Sequence, residues 1–159
     1  NQNSCEMRRR RNKMEIKNML RRPKGYENYT FPHIVHKPWG REEWLELLED
    51  ENGRGYCYKR IYINKGTRTS FQSHTKKIET NYIIAGEAEI WLEDEEGMLE
   101  KKTMKTGDSF TIIPPKKHRI IALTDMILQE VSTPDVDDII RLQDDTRRSD
   151  GKIELEHEN

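Results

Sequence analysis

The stretch Gly66-Thr-Arg-Thr-Ser-Phe-Gln72-Ser-His74-Thr-Lys76-Lys77-Ile-Glu79-Thr-Asn81-Tyr-Ile-Ile-Ala-Gly86 decides how this chain is read. Gln72 and His74 are two positions apart, so on an extended strand both side chains leave the same face. Glu79 follows five residues after His74 and opens a second strand-like run, Thr80 to Ala85. A short connection after His74 folds that run back and brings Glu79 beside the Gln/His pair. A further nitrogen is offered by His118, at the end of Gly107-Asp-Ser-Phe-Thr-Ile-Ile-Pro-Pro-Lys-Lys-His118. Imidazole, carboxylate and amide oxygen together suit a borderline divalent ion such as Zn, Fe, Mn or Ni. A Gln-x-His pair alone more often marks two polar strand residues. Adding Glu79 and His118 turns the pattern toward a metal site.

The strands around this stretch come in close order. Residues 41–48 and 55–63 flank Asn52-Gly53, a strong hairpin signal. Residues 80–85, 88–93, 98–104, 109–113, 118–123 and 126–131 are separated by Gly86-Glu87, Glu96-Gly97, Thr106-Gly107-Asp108, Pro114-Pro115 and Thr124-Asp125. Short strands with a turn every eight to twelve residues read as an all-β sandwich or barrel. After Val131 the pattern changes. Thr133 as N-cap, Pro134 in the first turn and Asp135, Asp137 and Asp138 near the positive end predict a short C-terminal helix, with Val136, Ile139 and Ile140 as its apolar stripe. The tail, residues 151–159, alternates and offers an edge strand or a loose end. Ahead of the strands, His33 and His36 are three apart, which suits a turn or helix better than one strand face; they are polar residues first and ligands second. Trp39 and Trp44 are expected to cover an end of the barrel.

At 159 residues the chain supports one core. Residues 1–22 carry Arg8-Arg-Arg-Arg11 and Arg21-Arg22 among polar neighbours and read as a basic, mobile arm; residues 23–159 read as one domain. A run of four arginines can attract a polyanion, but such an arm is more often simply solvated, so nucleic acid is not an expected partner; the balance of 29 acidic against 28 basic residues argues neither way. No apolar run approaches membrane-spanning length, and no signal peptide is visible. Cys5 and Cys57 are the only cysteines, which argues against a disulfide scaffold and fits a cytoplasmic location.

The spacing resembles the cupin family. That family's first motif, Gly-x5-His-x-His-x(3,4)-Glu-x6-Gly, is matched by Gly66, Gln72, His74, Glu79 and Gly86, and its second by Gly107 and His118. Ile113 stands where the family has proline. Gln in place of the first His resembles the phosphomannose isomerases. Residues 37–148 are similar to the type II isomerase domain: Lys37-Pro-Trp-Gly40, Tyr58-Lys-Arg-Ile61 and the closing Ile139-Ile-Arg-Leu-Gln-Asp-Asp-Thr-Arg-Arg148 match its Arg-Pro-Trp-Gly, Val-Lys-Arg-Ile and Ile-Val-Arg-x-x-Asp-x-Tyr-Gly-Arg. The pattern departs at Lys76, Lys77, Thr80 and Asn81, which replace His, Arg, His and Trp, and at Thr146-Arg147, which replace Tyr-Gly.

The resemblance implies a double-stranded β-helix, a jelly-roll barrel, with one divalent ion on Gln72, His74, Glu79 and His118: Zn first, with Fe, Mn, Co or Ni also suited. It implies a sugar phosphate as ligand and isomerisation between mannose 6-phosphate and fructose 6-phosphate, the metal stabilising an enediolate. The phosphate would meet Arg148, then Lys59, Arg119 or Lys117. Lys76 offers a general acid or base if burial lowers its pKa, with Arg148 beside it in the catalytic role. A homodimer is expected, as cupins commonly dimerise. Two other functions fit the residues: a non-catalytic sugar-binding cupin accessory to sugar-nucleotide or polysaccharide synthesis, and an iron-dependent cupin dioxygenase using His74, Glu79 and His118 alone.

Overall fold

Alternation along the strands sets the architecture. In the run from Met126 to Ser132, every second residue (Met126, Leu128, Glu130, Ser132) is buried and those between are not. In the run from Gly55 to Ile63 the buried set is Cys57, Lys59, Ile61 and Ile63. A strand with one buried face needs a second layer to cover it, and here that layer is another sheet. The computed structural model describes residues 20–143 and the backbone of 151–152.

Among the described residues, twelve strands form two six-stranded antiparallel sheets. In chain order they are β1 His33–Lys37, β2 Gly40–Glu49, β3 Gly55–Ile63, β4 Phe71–Ser73, β5 Glu79–Ala85, β6 Glu87–Glu93, β7 Leu99–Lys105, β8 Ser109–Ile112, β9 His118–Ala122, β10 Met126–Ser132, β11 Ile140–Gln143 and β12 Gly151–Lys152. One sheet runs β1-β2-β3-β10-β5-β8 and the other β12-β11-β4-β9-β6-β7. Sequence neighbours β4 and β5 therefore lie in opposite sheets, as do β8 and β9, and the chain crosses the sandwich at the segments that carry His74, Glu79 and His118. This is the jelly-roll arrangement expected from the sequence.

Two apolar clusters fill the interior. One gathers Ile61, Ile63, Ile83, Ile90, Phe110, Ile112 and Leu128 with Trp39. The other gathers Tyr26, Val35, Trp44, Leu47, Cys57 and Val136. Along β3 the second cluster holds Cys57 and the first holds Ile61, and Lys59 stands between them. The charged layer that forms the site thus separates two dry ones.

The expected hairpin at Asn52-Gly53 joins β2 to β3. The helix expected after Thr133 is absent: residues 133–139 form turns with Val136 N–H to Pro134 O (2.9 Å) and Asp138 N–H to Asp135 O (3.2 Å). Its capping logic fails because the acceptors are engaged elsewhere. Thr133 Oγ1 accepts from Ile78 N–H, Asp137 accepts from the Tyr26 hydroxyl, and Asp138 binds the loop after His74. His33 and His36 lie on β1, not on a turn, and their side chains point to opposite faces. Arg21 and Arg22 are tied to the domain, through a backbone bridge to Glu49 and a 2.5 Å ion pair with Glu46. Residues 1–19 fall outside the described residues. In the tail, for which the sequence left an edge strand and a loose end both open, Gly151–Lys152 pairs with β11 as β12. Among the described residues no helix is long and apolar enough to cross a membrane.

Candidate metal centre

Three short pieces of chain deliver the four predicted ligands. Gln72 lies on β4 and pairs with His118 at the start of β9. His74 follows one residue after β4, and Glu79 opens β5. One donor atom from each of His74, Glu79 and His118 falls within 4.8 Å of the others. His74 Nε2 is 3.7 Å from Glu79 Oε2, and His118 Nε2 is 4.0 Å from Glu79 Oε1. All three side chains are buried.

The backbone fixes which nitrogen of each ring faces the centre. His74 Nδ1 lies 2.5 Å from Asp138 O, and His118 Nδ1 lies 3.1 Å from Lys116 O. A carbonyl can only accept, so each Nδ1 carries the proton and each Nε2 keeps its lone pair toward Glu79. Among the described residues His74 Nε2 has no hydrogen-bond partner, a cost for a buried polar atom that a bound cation would remove. Burial, and then the Lys77 charge, pull His74 down to about 4, and burial pulls His118 down as well. Burial alone would raise Glu79, but the Lys77 charge overrides it and holds the carboxyl at about 2. Two neutral imidazoles and one carboxylate are the protonation states that a divalent ion requires. The donor set therefore fits a metal.

Gln72 stands beside this trio in a different way. Its Nε2 faces His118 Nε2 at 3.5 Å, while its Oε1 accepts from Ser70 Oγ at 2.5 Å. A metal needs the oxygen. Turning the amide over would supply it, and the Ser70 hydroxyl can donate or accept, so it satisfies either orientation. Asn81, where the resembled family has tryptophan, donates to Glu79 Oε1 at 3.3 Å.

Three residues given no role from the sequence complete the site. Lys77, not Lys76, enters it: Lys77 Nζ ion-pairs with Glu79 Oε2 and, at 3.0 Å, with Glu130 Oε1. Burial would lower its pKa, but Glu130 and Glu79 outweigh this and push it up. Burial and then the Glu79 charge raise Glu130. Glu42 accepts from Lys59 Nζ at 3.0 Å and from Trp44 Nε1 at 2.8 Å. These groups line a cavity of about 60 Å³ between the sheets, with Lys37, Ser70, Gln72 and His118 also on its wall. Glu130 had a legible signal: it occupies the buried phase of β10, where Met126 and Leu128 precede it. Lys59 has the same signal on β3. Lys77, in a loop, had none.

The other predicted residues lie apart. Lys76 is exposed, so the burial its acid–base role required is missing. Arg119 follows His118 on β9 and so points to the other face; it is 1% exposed and donates to Gln143 O at 3.1 Å. Lys117 is exposed and pairs with Glu93 at 3.3 Å. Lys59 does reach the cavity, with its charge matched by Glu42. Arg148 falls outside the described residues.

Comparison with known proteins agrees with this architecture. Residues 59–132 match the cupin domain model. The chain is 28% identical over 138 residues to the xanthan biosynthesis protein XanB of Xanthomonas campestris pv. campestris (strain B100), covering 82% of this chain and 27% of that protein. Oxalate decarboxylase from Bacillus subtilis superposes with a TM-score of 0.61 at 19% identity, over 79% of this chain and 32% of its own. The capsular polysaccharide assembling protein CapF from Staphylococcus aureus superposes with a TM-score of 0.58 at 12% identity, over 76% and 36%. The chain thus spans about a quarter to a third of the length of these relatives, and at such identities the structural likeness speaks for the fold. With the Gly-bounded motif, the crossing strands and the His/Glu/His trio in place, the conclusion is that residues 59–132 match the cupin domain and lie within a two-sheet jelly roll.

Proposed function

We propose that this cupin holds one divalent ion on His74, Glu79 and His118 and acts on a phosphorylated or nucleotide-linked sugar, most simply as an aldose–ketose isomerase of the mannose 6-phosphate/fructose 6-phosphate type. The observation that carries the reading is the pair of imidazoles locked by backbone carbonyls with Nε2 turned toward one ionised carboxylate. The similarity to a xanthan biosynthesis protein supports sugar chemistry as its setting. A divalent ion bound there would polarise a sugar carbonyl and so acidify the adjacent C–H.

The chain's own residues would do the rest. Glu130, whose raised pKa suits it to hold and release a proton, faces the centre across Lys77. Ser70 and Asn81 offer hydrogen bonds to sugar hydroxyls from the wall. Lys37 and Lys59 lie on the same wall, and they and Arg148, five residues after β11, are the cations proposed to meet a phosphate.

One observation favours a second reading, a sugar-binding cupin without catalysis: the Lys77 ammonium rests against a ligand carboxylate. Solvent deuterium separates the two. The isomerase reading predicts exchange at C2 of the aldose or C1 of the ketose by NMR when the metal-loaded chain meets mannose 6-phosphate or fructose 6-phosphate. Binding with no deuterium in any member of a phosphosugar panel would leave the binding function and remove the enzyme. Oxygen consumption with added iron would point to the dioxygenase instead.

A further inference from the structure

We infer that Lys77 is a built-in counter-cation of the metal centre, one that a divalent ion must displace, so that this single side chain sets how tightly the site holds metal. The inference rests on the metal-site part of the proposed function and not on the isomerase part.

The geometry is that of a shared cation. Lys77 Nζ touches Glu79 Oε2, the same oxygen that His74 Nε2 faces at 3.7 Å. Its other contact is Glu130 Oε1 at 3.0 Å. Both carboxylates and the lysine are buried. Two anions in a dry interior need a cation, and the ammonium meets that need without any metal. One ammonium thus serves two carboxylates. Because Nζ is shared, it can leave Glu79 and still keep Glu130 as its partner.

A divalent ion arriving between His74, His118 and Glu79 would meet positive charge on the ligand oxygen it needs. Two like charges at contact distance repel strongly inside a protein. The ion binds only if Nζ withdraws, and Glu130 gives it a place to withdraw to. Lys77 therefore lowers metal affinity, and Glu130 limits how much. The resembled isomerase motif has arginine at this position, also cationic but longer and forked.

The test uses the full chain, stripped of metal with a chelator and titrated with Co²⁺ and with Zn²⁺ by calorimetry, the melting temperature being followed in parallel. Lys77→Met should bind either ion at least about tenfold more tightly than the wild type, and its melting temperature should rise more on adding metal. Lys77→Arg keeps the charge and should stay near the wild-type affinity. If Lys77→Met needs the ion in order to fold, the same conclusion follows; Lys77→Gln, which keeps a hydrogen-bond donor, then supplies the affinity. A wild type that binds no metal beside a Lys77→Met that does would uphold the inference and remove the metal-dependent isomerase. Equal or weaker binding by Lys77→Met, tightening by Lys77→Arg as well, or variants that fail to fold with and without metal would overturn it. A wild type that still exchanges deuterium in those cases would leave the isomerase reading standing.

Discussion

His74 and His118 each give a proton to a backbone carbonyl and turn a bare nitrogen inward, and measurable behaviour follows from that. His74 titrates near 4 in the fold, against about 6.5 in an unfolded chain. Between those values the unfolded chain takes up a proton that the folded one refuses. The stability from neutral His74 is thus complete above pH 6.5 and is lost as pH falls through the window. Denaturant midpoints of the metal-free protein should drop from pH 6.5 toward 4, and the drop should flatten in His74→Asn. Gln72 turns its amide nitrogen to the centre, so Gln72→Ala should weaken Co²⁺ binding by no more than about 10–100-fold, the range of a supporting partner. His118→Ala should cost more, and calorimetry on both variants compares them. At this scale the ligands were legible because strand alternation and motif spacing place them. Lys77 was not, because a charged residue in a loop has no period to betray its burial.

β4, β5 and the turns that bound them hold the site open, and their loads differ. Gly86 has φ +99°, and a Cβ there would stand 2.4 Å from Asp125 O. Gly66 has φ +77° with open space around it. Gly66→Ala should cost about 1–2 kcal/mol, the left-handed backbone penalty alone, whereas Gly86→Ala should cost about 3 kcal/mol or more because a backbone carbonyl must move. Thermal melts of the two variants test this. Asp138 is the clasp of the His74 loop, its carboxylate accepting from the N–H groups of Thr75, Lys76 and Lys77 and from the Thr75 hydroxyl. Burial would raise its pKa, but these bonds prevail and hold it near 2. Its contribution is complete above about pH 4 and is lost as pH falls toward 2. Asp138→Ala should lower stability by about 1–3 kcal/mol and weaken metal binding through His74. Sequence reading assigned this aspartate to a helix start. Its true role depends on a loop 62 residues away in the chain, which local capping rules do not reach. The strands were legible because Gly and Asn-Gly turns punctuate them.

Two sheets closing over a charged layer give the whole molecule its chemistry. Among the described residues the cavity wall carries Glu42, Glu79 and Glu130 against Lys37, Lys59 and Lys77. With neutral histidines these formal charges balance, so a divalent ion adds charge that a dianionic ligand would offset. Fructose 6-phosphate should therefore tighten Co²⁺ binding by about fivefold or more, and Co²⁺ should tighten the sugar phosphate by the same factor; fructose without phosphate should leave the affinity unchanged. The two-sheet fold was legible from the motif and turn spacing. The balanced charge was not, because Glu42, Glu130 and Lys77 come from separate elements that only the closed sandwich brings together. The most direct test of the account is the metal content of the purified full chain after dialysis against Co²⁺ or Zn²⁺. The account predicts one ion per chain in the wild type and none retained by the His74→Ala, His118→Ala double variant. Equal metal in both proteins, or none retained by the wild type at any concentration that leaves it folded, would contradict it.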